Sequence, residues 1–279
     1  MSLVVSLTTI PPRFPYLMQS LPHLLKQTAH IDEIRLYIPK SYRRFPDYDG
    51  EVPEVPNGVR IIRPPEDLGP ASKVLFAADD LQGTDCDIIY CDDDRIYEPD
   101  WFARMLRARK RHHNRCVATA TLDRELAFRG VQIVPGFPSH KGPQVFRKDL
   151  RYRAKRLRQI VRKLRTGEDQ PQLRRGRYSR PGFASIAEGF GAVLVKPHFF
   201  DAEAYDIPPV IWSVDDIWLS GHMARKGIAI WQGAGFADPL VTDSSETSPL
   251  YKATVAGVNR DDANLACIRY MQETYGVWI

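Results

Sequence analysis

No stretch of the 279 residues approaches the run of about 18 or more apolar residues that a membrane-spanning helix needs, so a helical span is not expected. The opening residues, MSLVVSLTTIPPRF, have no basic region ahead of the apolar stretch, and Thr8, Thr9 and two prolines interrupt it. That pattern predicts a first strand and not a signal peptide. Cysteine is scarce as well. Cys86, Cys91, Cys116 and Cys267 are the four, and no two have CxxC spacing. Two of them flank an apolar strand, so buried thiols in a reducing cytoplasm are expected. What remains is 43% hydrophobic and 26% charged, the balance of a globular chain. Its length suits one large α/β domain, with room for an insertion.

Acidic residues are nearly missing from one segment. Residues 140–180 carry 15 Lys and Arg against 3 Asp and Glu, a local charge of +12. The whole chain is only +5, which leaves −7 for everything else. Within the segment, Leu150, Ala154, Leu157, Val161 and Leu164 recur at helical spacing, which predicts a basic amphipathic helix over residues 148–165. Residues 167–181 are polar, basic and glycine-containing, the composition of a mobile loop. Three readings stay open for the helix: a stripe packed on the core, an anionic membrane surface, or another anion. Few aromatics interleave the charges, which argues against nucleic acid.

Elsewhere the chain alternates strands and helices. Residues 3–9, 34–38 and 59–62 read as strands, with a helix over about 15–28 and a proline-rich loop over 45–57. The turn containing Asp67, Gly69, Pro70 and Lys73 opens a short helix and could bring backbone N–H groups and a lysine to an anion. A helix over about 100–112, a strand over 117–121 and a short hairpin over 125–134 follow. The segment holding Gly189, Phe190 and Gly191 reads as a glycine-opened strand, where glycine suggests close approach by a ligand or backbone. Residues 213–227 read as a helix capped by Ser213, with Asp215 and Asp216 in its first turn and Gly227 at its end. A strand over 228–231 and a helix over 261–275 complete the pattern of a mostly parallel sheet with crossover helices.

The chemistry is concentrated where an apolar strand, Ile88 to Cys91, stops on Asp92, Asp93 and Asp94. Alternation along an extended chain would point Asp92 and Asp94 the same way and Asp93 the other way. Converging carboxylates at the carboxyl end of a buried strand suit a hard divalent cation. An acidic turn capping the next helix is the alternative.

Taken together, the Asp92-Asp93-Asp94 strand end and Asp215-Asp216-Ile217-Trp218-Leu219 with Arg225 and Gly227 resemble two motifs of GT-A fold glycosyltransferases. These are the DxD motif and the acidic helix of family 2-like inverting enzymes. The resemblance covers roughly residues 1–235. It implies one α/β, GT-A-like domain with a mostly parallel central sheet, flanking helices and a basic helical insertion. The nucleotide-binding half would be about 1–122, the insertion about 140–182 and the acceptor-binding half about 183–279. It further implies sugar transfer from a UDP- or GDP-sugar to a saccharide or lipid-linked acceptor, as in bacterial-type surface polysaccharide synthesis. The setting would be cytoplasmic, with a peripheral membrane site as an extension. Mn2+ or Mg2+ would sit on Asp94 and Asp92. Thr8, Thr9, Arg13, Asp67, Lys73, Asp92 and Asp93 would meet the nucleotide. Gly189, Phe190, Gly191, Asp215 and Trp218 would line the acceptor side, and Asp216 would be the base. The QxxRW motif of processive synthases is missing after Gly227, and no histidine follows His222 to complete a metal site as in some GT-A enzymes.

Three other classes bear comparison. A sugar-nucleotidyltransferase would want a glycine-rich loop after the first strand, and residues 7–13 contain no glycine. A DxDxT phosphatase lacks its threonine, because Arg95 and Ile96 follow the acids. A non-catalytic protein that binds anionic surfaces would use the basic helix alone.

Overall fold

The computed structural model describes residues 2–122, 131, 133–134, 144–145, 150–167, 174–255 and 257–279. The strands of the first half are β1 (Leu3–Thr8), β2 (Glu33–Tyr37), β3 (Val59–Ile62), β4 (Asp87–Tyr90), β5 (Arg95–Ile96), β6 (Cys116–Ala118) and β7 (Thr121–Leu122). The second half adds β8 (Gln144–Val145), β9 (Tyr178–Arg180), β10 (Gly182–Ala184), β11 (Ile186–Ala187), β12 (Val193–Val195), β13 (Ile230–Gln232) and β14 (Leu240–Val241). The helices are α1 (Leu21–Leu25), α2 (Leu75–Asp80), α3 (Trp101–Arg109), α4 (Leu150–Thr166), α5 (Asp215–Arg225) and α6 (Arg260–Tyr275).

Eight strands form one sheet in the order β10-β13-β6-β12-β4-β1-β2-β3. From β4 to β3 all neighbours run parallel, and β13 runs parallel to β6. β12 is antiparallel to both β4 and β6, and β10 is antiparallel to β13. The central strands are apolar on both faces because helices cover both, as Ile88, Ile89, Val193 and Leu194 show by being wholly buried. Two hydrophobic clusters follow, one per face: Trp218 and Met271 belong to one, Trp101 and Leu7 to the other. All four cysteines are buried free thiols.

Several elements differ from the sequence pattern for identifiable reasons. The expected helix over 15–28 is a 3-10 segment, Pro11–Gln19, followed by the five residues of α1. Pro22 lacks the N–H that an α-helix running through residues 15–28 would use there. Residues 189–191 form a 3-10 turn ahead of β12, and buried Ala192 then takes a φ of 74°, costly for a residue with a Cβ. Ser213 does not cap α5: Val214 stands at the N-cap, with no side-chain cap hydrogen bond. Tyr178–Arg180 is a strand paired with β8, inside what reads as a loop. The expected hairpin over 125–134 falls mostly outside the described residues, as do 148–149 at the start of the basic helix and 168–173 after it.

Among the described residues, no helix is long and apolar enough to cross a membrane. One buried ion cluster lies away from the carboxyl ends of the strands. Asp87, which opens β4, meets Arg109 at 3.1 Å and Lys196 at 3.3 Å, and all three are almost fully enclosed.

Candidate active site

The carboxyl ends of β1 and β4, the 3-10 turn Gly69–Lys73 and the first turn of α5 enclose a cleft of about 330 Å³. The chain leaves β4 and turns at once, so the three aspartates are not an extended run and do not alternate. This corrects the expected geometry. Asp93 accepts from the Thr9 hydroxyl at 2.5 Å and from Arg13 Nη1 at 2.8 Å. Asp94 reaches the same Arg13 nitrogen at 3.2 Å and Arg95 Nε at 3.1 Å. Asp92 turns the other way and accepts from Lys73 Nζ at 2.6 Å. Its side chain is 29% exposed, against 5% for Asp93 and 8% for Asp94, so Asp92 is the one that opens most to the cleft.

Lys73 is the hinge between the two acidic groups. Its Nζ also lies 2.7 Å from Asp215 Oδ2, and its ammonium stands over the Tyr90 ring. A lysine expected to meet a free anion is thus already engaged by two carboxylates of its own chain. Gly189 makes this possible, since a Cβ there would sit 2.4 Å from Lys73 Nζ. Gly69 is required for a second reason: its φ is +61°, and a Cβ would meet the Trp212 carbonyl at 2.9 Å.

Burial opposes the Lys73 charge, but Asp215 and Asp92 outweigh it and hold the pKa well above the usual lysine value. Asp215 is lowered despite its burial, by Lys73 and then Arg260, whose Nη2 lies 3.6 Å away. Asp216 is half-buried and goes the opposite way. Burial and then the Asp215 charge push it up to about 8, even though its Oδ1 accepts from the Gly189 N–H at 2.8 Å. Asp94 is pushed up to about 6 by burial and by the Asp92 and Asp93 charges. Arg13 rises although burial works against it, because Asp93 and Asp94 face it.

The remaining expected residues divide. Thr8 donates to the Tyr37 carbonyl at 2.8 Å and lines the cleft with Thr9 and Arg13. Asp67 also lines it, accepting from the Arg43 and Gly69 N–H groups at 2.8 and 2.9 Å, with its pKa raised by burial. Phe190 lines the cleft, its ring under Arg95 and its carbonyl bound by Tyr97. Trp218 does not. It is 1% exposed, donates to the Ala204 carbonyl at 2.8 Å and packs against His222, because a helix position two residues past Asp216 turns into the core. Gly191 is likewise structural: a Cβ would strike Ala120, and its carbonyl accepts from Trp101. His222 is fully buried, with its pKa lowered to about 4 by burial and Arg225.

One wall escaped the sequence reading altogether. Ser245, Ser248, Leu250 and Tyr251 close the cleft from the C-terminal side, with Arg44 and Trp212 beside them. β14 pairs with β5 directly after the aspartates, and Thr242 N donates to the Asp94 carbonyl at 3.0 Å. Arg13 and Arg44 then hold the Thr247 and Ser248 carbonyls at 3.1 and 3.2 Å.

A divalent cation fits these residues only in part. No group of three His, Cys, Asp or Glu ligands is assembled among the described residues. Asp94 Oδ1, however, is buried without a hydrogen bond, with only the Arg95 guanidinium 3.1 Å away, and burial followed by the Asp92 and Asp93 charges raises the Asp94 pKa. A buried carboxylate oxygen with no hydrogen bond suits a cation which takes one or two carboxylates and completes its shell from phosphate oxygens and water.

The same fold occurs in solved structures. GalNAc-T7, solved with UDP, GalNAc and Mn2+, aligns with 98% of this chain at a TM-score of 0.51 and 13% identity. S. aureus TarS 1–349 in complex with UDP-GlcNAc aligns with 98% of it at a TM-score of 0.53 and 13% identity. This chain spans 48% of the first protein and 66% of the second. At that identity the likeness is one of fold, and the α/β sheet is GT-A-like. No protein-family model and no curated protein matches the sequence.

Proposed function

We propose that this GT-A-like chain transfers a sugar from a nucleoside-diphosphate sugar to a hydroxyl of a saccharide or lipid-linked acceptor, with inversion. The observation that supports it most is that acids more than 120 positions apart, Asp92–Asp94 and Asp215–Asp216, share one cleft through Lys73. GalNAc-T7 and TarS, which have this fold, were solved with UDP and UDP-GlcNAc, and a UDP-sugar is accordingly the first donor to test. Bacterial-type surface polysaccharide synthesis is the setting in which such an acceptor would occur.

The residues divide the work. Thr8, Thr9, Arg13 and Asp67 form the nucleotide side. Asp93 is fixed by Thr9 and Arg13, and it fixes them in turn, which shapes that side before any ligand arrives. Mn2+ or Mg2+ held by Asp94 and Asp92 would neutralise charge on the leaving diphosphate. Asp216 takes the acceptor proton. The Gly189 N–H orients its carboxylate, and burial beside Asp215 makes it a stronger base than an exposed aspartate. Asp215 does not compete for that role, because Lys73 and Arg260 hold it ionised. Phe190 and Tyr251 offer apolar ring faces at the acceptor side.

The deciding measurement is thermal melting with UDP-, GDP- and CMP-sugars, each with and without Mn2+. A metal-dependent upward shift with one nucleotide is expected. Its absence with every nucleotide would remove sugar transfer and leave a protein without this donor site.

A further inference from the structure

Helix α4 presents its apolar stripe outward. Leu150 is 73% exposed, Leu157 62%, Ile160 46%, Val161 41% and Leu164 81%. At about 100° per residue these positions, with Ala154, fall on one side of the helix. Among the α4 side chains described, the half-buried ones are Tyr152 and Gln159, on the opposite side. The helix thus leans on the protein with its polar back and offers its apolar front. This is the reverse of an ordinary surface helix, and the core-packed reading of the stripe is overturned.

Charge says what the front faces. The helix sequence, LRYRAKRLRQIVRKLRT, has eight Lys and Arg and no acid. Arg153, Arg158 and Arg165 border the stripe within about 80° of its centre, close enough for their stems to lie along it while their heads reach outward. Two copies of this face would set like charges against each other, so self-association is disfavoured. A nucleic acid would use the charges and leave the leucines in water. An anionic bilayer uses both. Seventeen residues at about 1.5 Å each make a helix of about 25 Å, and its charges keep it in the plane of the surface.

We propose that α4 lies in the headgroup layer of an anionic lipid membrane, with Leu150, Leu157, Val161 and Leu164 at the acyl boundary and the bordering arginines on lipid phosphates. The docking itself holds whatever chemistry the cleft performs.

Flotation of the full chain tests it, using vesicles of phosphatidylcholine alone or with roughly one third phosphatidylglycerol, at about 0.05 and 0.5 M salt. Binding to the anionic vesicles at low salt, weakened at high salt, is expected. Arg158→Gln should lower the partition coefficient about fivefold. The double variant Leu157→Ser and Leu164→Ser should lower it at least about tenfold with charge unchanged. Both leucines are exposed, so the melting temperature should not move. No flotation on anionic vesicles at low salt overturns the proposal. So does undiminished binding of the double leucine variant, which would mean surface charge alone. Self-association without vesicles that the leucine variant abolishes would assign the stripe to a second copy instead.

Discussion

Lys73 can be replaced by methionine, which keeps an unbranched stem in the space beside Gly189 and removes only the charge. Lys73 is 5% exposed, and its ammonium lies 2.6 Å from Asp92 and 2.7 Å from Asp215, with Asp216 next in the helix. Its loss strands negative charge that is almost wholly enclosed at Asp215. Breaking a buried pair from one side costs about 3–5 kcal/mol. For a chain of this size that is roughly 6–20 °C in melting temperature. The pH dependence has a defined sign. Asp215, held below its ordinary value by Lys73 and Arg260, contributes stability that is present above about pH 4 and lost as pH falls through its lowered pKa. Lys73, held above its ordinary value, contributes below about pH 10 and loses its share as pH rises through the raised one. Lys73→Met forfeits both, and acid then relieves the variant by protonating its stranded carboxylates. The gap in urea-unfolding free energy between wild type and variant should be widest near neutrality and shrink toward pH 4. A loss below about 1 kcal/mol at pH 7, or a gap as wide at pH 4, would refute the account of Lys73 as a buried bridge.

Asp216→Asn keeps the carbonyl that accepts from Gly189 and should lose about 10² to 10⁴ in kcat while still binding donor, with Asp215→Asn losing less. If Asp215→Asn is the dead variant and Asp216→Asn turns over, the register of the acidic pair must move by one. A base works deprotonated, so wild-type kcat/KM should climb as pH rises through the raised Asp216 pKa, about 8, and a flat profile up to that pH would count against Asp216. Asp94→Ala should fold normally yet lose the Mn2+-dependent melting shift with nucleotide, and full wild-type turnover in excess chelator would end the metal assignment.

The sheet was largely legible in the chain because its strands are short, β-branched and apolar, as at Val4, Val5, Ile88, Ile89 and Val193. Helices α3, α5 and α6 were legible to within about three residues, α5 from its first-turn acids and terminating glycine and α6 from its apolar face. Prolines concealed the shape of residues 11–25, where a leucine pattern suits a helix that the backbone cannot make. The aspartates were readable as a site but not in their orientation, since alternation holds only while the chain stays extended. Trp218 shows the opposite failure. It sits in the motif by sequence, yet an indole of that size is enclosed wherever its helix turns inward. The wall at 245–251 left no local trace, because its proximity depends on β14 pairing with β5 some 145 positions earlier. The exposure of α4 was not readable either. A stripe at helical spacing states that one face is apolar, and only the folded chain states whether anything covers it.

The strand β12 carries a consequence for how the protein comes into being. It lies antiparallel between β4 and β6, so residues from the second half of the chain stand in the middle of a sheet begun by the first. During synthesis β1 to β4 can pair as soon as they emerge, yet β4 then waits with Ile88, Ile89 and Tyr90 on an open edge for about 100 further residues. An edge that is apolar and unpaired invites association with other chains. A fragment stopped near residue 122 should therefore precipitate, not form a free-standing nucleotide domain, and a soluble fragment of that length with cooperative unfolding would contradict this. Loop closure at that range is slow. The two halves of the chain are thus one folding unit, completed only when β12 arrives.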